Sequence, residues 1–123
     1  MIKSEDLGKK GEKLASEYLR NKGFKILAIN WHYKHKEIDI ISEINNLLIV
    51  VEVKTRSSSF FENPQDAITK KKQKFIIEAT NEYIQKNNIN LEVRFDVIAI
   101  IFTGEKYNIE HIEDAFYPNV KRF

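Results

Sequence analysis

Hydrophobic positions recur along the chain at two spacings, one typical of helices and one typical of strands. Apolar residues at helical spacing predict a first helix over residues 5–22, which Gly23 ends. A second helix is predicted over residues 63–86, with Asn63 as its N-cap and Pro64 in its first turn. The strand-like segments are residues 24–31, 37–44, 47–55, 91–102 and 107–112. The predicted order of elements is therefore α-β-β-β-α-β-β.

The third of these strands begins with a run that is apolar on both faces. Residues 47–51 read LLIVV, which is typical of a central strand covered on both sides. The two residues before the run, Asn45 and Asn46, suit a two-residue hairpin turn because Asn tolerates positive φ angles. We therefore predict that the second and third strands form an antiparallel hairpin.

Charged residues lie beside this apolar run, where a sheet core does not favour them. The hairpin register predicts that Asp39 lies opposite Glu52 and that Glu37 lies opposite Lys54, all on one face of the sheet. Two carboxylates about 5 Å apart repel each other by roughly 3 kcal/mol at an effective dielectric constant near 20. A buried charge needs a partner or a metal. The pair of Glu37 and Lys54, taken alone, is also typical of a cross-strand salt bridge.

The ligand atoms that this cluster offers are carboxylate oxygens, with neither cysteine nor histidine among them. Such ligands favour Mg²⁺ or Mn²⁺ over zinc. A cation held by Asp39 and Glu52 would activate water and neutralise charge on a phosphate. Lys54 would orient that water or stabilise the developing anion.

Composition places the chain in a broad class. The 123 residues are 42% hydrophobic and 31% charged, which predicts one folded domain over residues 1–123. There is no cysteine, so disulfide and thiolate chemistry are excluded and a reducing compartment is expected. Neither a signal-peptide pattern nor a membrane-length apolar run occurs. We therefore expect a cytoplasmic protein without a membrane partner.

Basic residues are clustered although the net charge is only +2. Residues 19–36 contain five lysines and arginines and no acidic residue, and residues 70–74 read KKKQK. Basic clusters around an acidic centre suit a polyanion such as nucleic acid, and solvated surface lysines are the alternative. The candidates for nucleic-acid contact are Lys34, Lys36, Lys70, Lys71 and Lys74. The three histidines are scattered, and we interpret them as incidental.

An aspartate followed by a strand that carries Glu-Val-Lys resembles the PD-(D/E)XK nuclease superfamily. More closely, the chain is similar to the YraN-like family of small bacterial proteins, which are candidate endonucleases related to archaeal Holliday junction resolvases. In those relatives a glutamate of the first helix joins the site, and Glu12 is the matching position; a glutamate at the edge of the helix's apolar stripe is the alternative. Lys36 departs from the glycine that is usual there. The matching segments are GKKGEKLASEYLRNKGFKILAIN, EIDIIS, LLIVVEVKTR, NPQDAITKKKQKFIIEATNEYI and RFDVIAI.

The resemblance implies a restriction-endonuclease-like, three-layer α/β core with a mixed sheet of about five strands flanked by helices. It implies a metal-dependent endonuclease that hydrolyses DNA, with branched or structured DNA as a candidate substrate. Asp39, Glu52 and Glu12 would bind Mg²⁺ or Mn²⁺, Lys54 would assist hydrolysis and Glu37 would lie in a second tier. The loop of residues 57–62 would cover bound nucleic acid. A non-catalytic nucleic-acid-binding module, or an interaction subunit of a DNA-processing complex, remains the alternative, and the sequence leaves a homodimer open.

Overall fold

The computed structural model describes residues 4–57 and 68–118. Within these ranges the elements follow the predicted order α-β-β-β-α-β-β. They are α1 (Ser4–Asn21), β1 (Lys25–Tyr33), β2 (Lys36–Ile44), β3 (Leu47–Arg56), α2 (Lys70–Lys86), β4 (Glu92–Thr103) and β5 (Lys106–Phe116).

The second helix begins later than its sequence pattern predicts. Thr69 has extended backbone angles, and its side chain accepts a hydrogen bond from the backbone N–H of Lys72, so Thr69 is the N-cap and Lys70 is the first helical residue. The predicted cap at Asn63 and Pro64 lies outside the described residues. Residues 58–62 of the loop that is predicted to cover nucleic acid also lie outside them. A single continuous helix over residues 63–86 is excluded, because residues 68 and 69 are not helical.

The five strands form one mixed sheet in the order β1-β2-β3-β4-β5. The central strands β3 and β4 are parallel, and the other neighbours are antiparallel. This arrangement confirms the predicted α/β fold. In the described part of the chain, neither helix combines the length and apolar character needed to cross a bilayer.

Each face of the sheet is covered by one helix, so the fold has three layers. Leu48 and Val50 belong to a core that contains Ile76 of α2, which we call the α2-side core. Ile49 and Val51 belong to a second core with α1, which we call the α1-side core. Successive residues of a strand point to opposite faces, which explains why the LLIVV run serves both cores.

The hairpin between β2 and β3 has the predicted turn. Asn45 and Asn46 have φ angles of 51° and 63°, the left-handed pair that a type I′ turn requires. The ladder runs from this turn as far as Ile40, which pairs with Val51. The predicted register is therefore confirmed up to Ile40, immediately beside the predicted site.

Candidate functional site

The β2–β3 ladder ends where the acidic residues begin. No pairing of Asp39 with Glu52 follows the last pair, Ile40 with Val51, so the predicted direct pairing is wrong. Instead Asp39 Oδ2 accepts a hydrogen bond of 2.8 Å from the backbone N–H of Val53. The side chain of Asp39 thus accepts the hydrogen bond that a backbone carbonyl of β2 would accept if the ladder continued.

The alternation of β2 is also interrupted at Asp39. Ile38 and Ile40 are two residues apart, so strand alternation in the hairpin register predicts that both share the face of Val51 and Val53. Ile40 does lie in the α1-side core with Val51 and Val53, but Ile38 lies in the α2-side core. A regular strand would keep both isoleucines on one face, so the backbone of β2 changes its course at the aspartate.

Glu52 is the most deeply buried carboxylate of the site, with only 3% of its surface exposed. Its Oε1 atom forms an ion pair of 2.7 Å with Lys72 Nζ of α2. Its Oε2 atom is buried and has no hydrogen-bond partner among the described residues. An unpaired buried carboxylate oxygen costs free energy, so this atom is ready to accept a further cationic or donor group.

The negative charge of Glu52 affects the pKa of Asp39. Burial raises the pKa of Asp39 from 3.8 to about 7, and the negative charge of Glu52 acts in the same direction. The hydrogen bond from Val53 and the charge of Lys72 lower that pKa but do not outweigh burial. The two carboxyl groups are therefore neighbours, although they are not a cross-strand pair.

A third carboxylate comes from α1. Glu12 is partly buried and accepts a hydrogen bond of 3.3 Å from Asn30 Nδ2. Burial raises the pKa of Glu12, and the charge of Asp39 raises it further. Glu12, Asp39 and Glu52 are called the acidic cluster below. Whether Glu12 binds a metal stays a prediction.

Lys54 lies beside the acidic cluster without pairing to Glu52. It is partly buried, and burial lowers its pKa, as does the charge of Lys72, while Glu52 and Asp39 raise it. Among the described residues, Glu52 forms its ion pair with Lys72 and not with Lys54. Lys54 therefore keeps its ammonium free of a close carboxylate contact with any described residue.

Lys72 is the site residue that sequence reasoning missed. It lies within the KKKQK segment, but the sequence pattern predicts nucleic-acid contact only for Lys70, Lys71 and Lys74 of that segment. A signal was present, since lysines in the first turn of a helix add positive charge to the positive end of the helix dipole. The first turn of α2 contains no acidic residue. This locally unfavourable choice is explained by the carboxylate that lies opposite Lys72.

Glu37 has a different partner from the predicted one. It lies opposite His32 of β1 in the β1–β2 ladder, and His32 Nε2 lies 2.9 Å from Glu37 Oε1. The predicted pairing with Lys54 is wrong because the β2–β3 ladder has already ended, whereas the β1–β2 ladder continues to Tyr33 and Lys36. Glu37 is exposed and contributes to the raised pKa of Glu12, after burial and Asp39.

The predicted basic residues lie in two neighbouring places, one where β1 turns into β2 and one at the start of α2. Lys36 Nζ lies 5.4 Å from the ring centroid of Phe75 in α2, and the ring of Tyr33 lies 5.8 Å from the same ring. Phe75 follows Lys72 by one helical turn, so the start of β2 adjoins the start of α2. The exposed lysines at this side are Lys34, Lys36, Lys70, Lys71 and Lys74. Their contact with nucleic acid stays a prediction.

Asp39 and Glu52 offer carboxylate oxygens, which are the ligands that a hard divalent cation takes in proteins. Among residues 4–57 and 68–118, no three or more His, Cys, Asp or Glu side chains are grouped so that they could hold a metal ion together, so Glu12 does not form such a group with Asp39 and Glu52. Mg²⁺ commonly binds through one or two carboxylates and completes its shell with water and substrate phosphate. Asp39 and Glu52, with the unpartnered Oε2 atom of Glu52, offer such a pair.

Comparison with known proteins gives a family and no activity. The sequence model of a family described as "Uncharacterised protein family UPF0102" matches residues 11–100, a range that contains the acidic cluster. A UPF0102 protein of Flavobacterium psychrophilum is 48% identical over 117 residues, which cover 95% of this chain and 98% of the relative. A UPF0102 protein of Phocaeicola vulgatus is 47% identical over 120 residues, with coverages of 98% and 99%.

Proposed function

Because the chain belongs to the uncharacterised protein family UPF0102, whose description names no reaction, we propose its function from the chemistry of the site. We propose that the protein is a divalent-metal-dependent endonuclease that hydrolyses phosphodiester bonds in DNA, with branched or structured DNA as its substrate class. The observation that carries the proposal is the placement of Asp39 and Glu52 side by side, next to Lys54. The PD-(D/E)XK relationship belongs to the same proposal.

The electrostatics of the acidic cluster support a cation at this place. Burial and mutual repulsion raise the pKa of Asp39 to about 7, so the ionised pair of Asp39 and Glu52 destabilises the fold. Structural carboxylates are normally each paired with a cation or a donor, but Glu52 Oε2 has neither among the described residues. A protein that only bound nucleic acid would gain nothing from carboxylates that repel phosphate.

The residues of the site have separate tasks in the proposed reaction. Asp39 and Glu52 would hold the cation, and Glu12 would complete its surroundings from α1. A bound Mg²⁺ or Mn²⁺ would act as a Lewis acid toward the phosphate and lower the pKa of a bound water. Lys54, whose ammonium has no close carboxylate contact among the described residues, would bring positive charge to the scissile phosphate as negative charge develops there.

The basic surfaces support a polyanionic substrate. Lys36, the first residue of β2, lies against Phe75 of α2, the helix that also carries Lys70, Lys71 and Lys74, and Lys34 lies in the turn just before β2. These side chains are exposed and free to contact the phosphates on either side of the scissile bond. Binding should therefore weaken steeply with salt, because each phosphate contact releases counterions.

A panel of labelled duplex, forked, four-way and single-stranded DNA tests the proposal. Wild-type protein should cut at least one substrate with Mg²⁺ or Mn²⁺ and none with EDTA. Asp39→Asn, Glu52→Gln and Lys54→Met should each lower the rate by about a hundredfold or more, because each removes a cation ligand or a charge that the transition state needs. Glu105→Gln, an exposed carboxylate between β4 and β5, is the matched control and should cut at the wild-type rate.

The outcomes separate the three classes of function. Cleavage by Asp39→Asn at the wild-type rate would exclude the proposed metal role. Salt-sensitive DNA binding without cleavage of any substrate would favour a non-catalytic nucleic-acid-binding module. Absence of both would leave an interaction subunit of a DNA-processing complex as the better interpretation.

A further inference from the structure

Lys72 already supplies a cation to the acidic cluster. Its Nζ atom lies 2.7 Å from Glu52 Oε1, and its charge also acts on Asp39. Its side chain is 38% exposed, so the ammonium has room to leave this contact for solvent. The ion pair therefore joins a nearly fully buried carboxylate to a lysine whose side chain is partly exposed to solvent.

The helix around Lys72 does not itself favour a lysine there. Lys72 is the third residue after the N-cap Thr69, a position where a positive charge opposes the helix dipole. The two residues before it are also lysines, so α2 begins with three consecutive positive charges. Contact with Glu52 gives this position a role that helix stability does not.

The charges of the site cannot all remain in place when a divalent cation arrives. Lys54 and Lys72 already repel each other, since the charge of Lys72 lowers the pKa of Lys54. Two ammonium groups and one divalent cation would bring four positive charges to the two carboxylates Asp39 and Glu52. Glu52 Oε1, moreover, cannot be in close contact with both an ammonium and a metal without strong repulsion between them.

We propose that Lys72 is a displaceable counterion that occupies part of the cation position of Asp39 and Glu52 in the metal-free protein. The inference rests on the proposed function, since it names the group with which a catalytic cation competes. Binding of the cation moves the Lys72 ammonium away from Glu52 and into the solvent at the N-terminus of α2. The strength of this ion pair thereby sets the metal concentration at which the site becomes loaded.

Isothermal titration with Mn²⁺ alone tests the competition without any measurement of activity. Lys72→Met keeps a side chain of similar length and removes the charge, so Mn²⁺ should bind about tenfold more tightly than to wild type, a change of about 1.4 kcal/mol. Lys86→Met is the matched control, because it removes the same charge from an exposed position of the same helix. Lys86 lies about 21 Å from Lys72 along the axis of α2, at about 1.5 Å per residue. The Kd of the Lys86→Met protein for Mn²⁺ should therefore equal that of wild type.

A second measurement uses only the wild-type chain. Acylation of lysine amines, followed by peptide-resolved mass spectrometry, reports how accessible each Nζ atom is. Mg²⁺ should raise the labelling rate of Lys72 several-fold, because the ammonium leaves Glu52, and should leave the rate of Lys86 unchanged. An unchanged labelling rate at Lys72 with Mg²⁺ bound would overturn the inference.

The titrations distinguish failure of the inference from failure of the proposed function. Suppose that wild type binds Mn²⁺, that Asp39→Asn does not, and that Lys72→Met binds equally or more weakly. Lys72 would then be a structural partner of Glu52, and the inference alone would be wrong. Absence of Mn²⁺ binding in both wild type and Lys72→Met would overturn the inference together with the metal-dependent function on which it rests.

Discussion

Asp39 combines two properties that conflict in a single residue. It accepts a backbone hydrogen bond, which favours the charged form, yet burial and Glu52 raise its pKa from 3.8 to about 7. The folded protein therefore holds this proton more tightly than the unfolded chain does. Between about pH 4 and pH 7 the folded state binds more protons, so the contribution of Asp39 to stability falls as pH rises through that interval.

Asp39→Asn should flatten this pH dependence in metal-free protein. For wild type in EDTA, the free energy of unfolding should decrease by about 3 kcal/mol from pH 4.5 to pH 7.5 because of Asp39. Urea denaturation across this range measures the effect. The pKa of Glu12 is raised by burial in both proteins, but the Asp39 charge also contributes to it, so the difference between the curves reports Asp39 together with its coupling to Glu12. Parallel curves for the two proteins would contradict the assignment.

At the scale of elements, the placement of Glu12 depends on how closely α1 approaches β3. Gly11 is buried, and a Cβ atom at this position would overlap Thr55 Oγ1 and lie 3.2 Å from Thr55 Cβ. Only a glycine therefore allows α1 to lie this close to the strand that carries Glu52. The next residue, Glu12, reaches the acidic cluster because of that approach.

Gly11→Ala should destabilise the protein although alanine favours helices. The overlap with Thr55 should lower the free energy of unfolding by about 1–3 kcal/mol, measured in urea. Gly8→Ala is the matched control in the same helix, since a Cβ atom there would meet no other residue within 4 Å. It should stabilise by about 0.5–1 kcal/mol through helix propensity. Equal effects at both positions would mean that the close approach of α1 to β3 is not required.

At the scale of the whole molecule, a buried carboxylate connects β4 with β5 and, through His111, with α1. Asp96 of β4 accepts hydrogen bonds from Arg94, from His111 Nε2 at 2.8 Å and from the backbone of Asp114 in β5. The other ring nitrogen of His111 lies 3.2 Å from the hydroxyl of Tyr18 in α1. Burial alone would raise the pKa of Asp96, but these donors outweigh it and lower the pKa. The interpretation of His111 as incidental is therefore wrong.

Asp96→Asn should destabilise the fold without touching the acidic cluster. Replacing one partner of a buried ionic network leaves Arg94 and His111 poorly paired, so the free energy of unfolding should fall by about 3 kcal/mol. Glu113→Gln removes an exposed carboxylate 3.7 Å from the same arginine and should change stability by less than about 1 kcal/mol. Thermal and urea denaturation measure both variants. A loss as small as that of Glu113→Gln would show that the network has no structural role.

The order of elements and the hairpin turn follow from short-range rules that the sequence carries openly. The LLIVV run, the alternation of residues 37–44 and the pair Asn45–Asn46 each constrain backbone angles or faces within a few residues. Asp39 and Glu52 could be predicted as neighbours because a hairpin relates residues on its two strands through one turn. For the same reason, the predicted register holds as far as Ile40 and Val51.

By itself, then, the sequence determined the succession of helices and strands, the turn at Asn45 and the neighbourhood of the two central carboxylates, because local backbone preferences and strand alternation suffice for these. Only the tertiary structure decided that Lys72 pairs with Glu52 and that His111 serves Asp96. These contacts join residues 20 and 15 positions apart, on elements whose relative placement depends on how side chains fill the space between a helix and a sheet, or between two strands and α1. No periodic pattern encodes that placement, since packing is a property of all the contacting surfaces together.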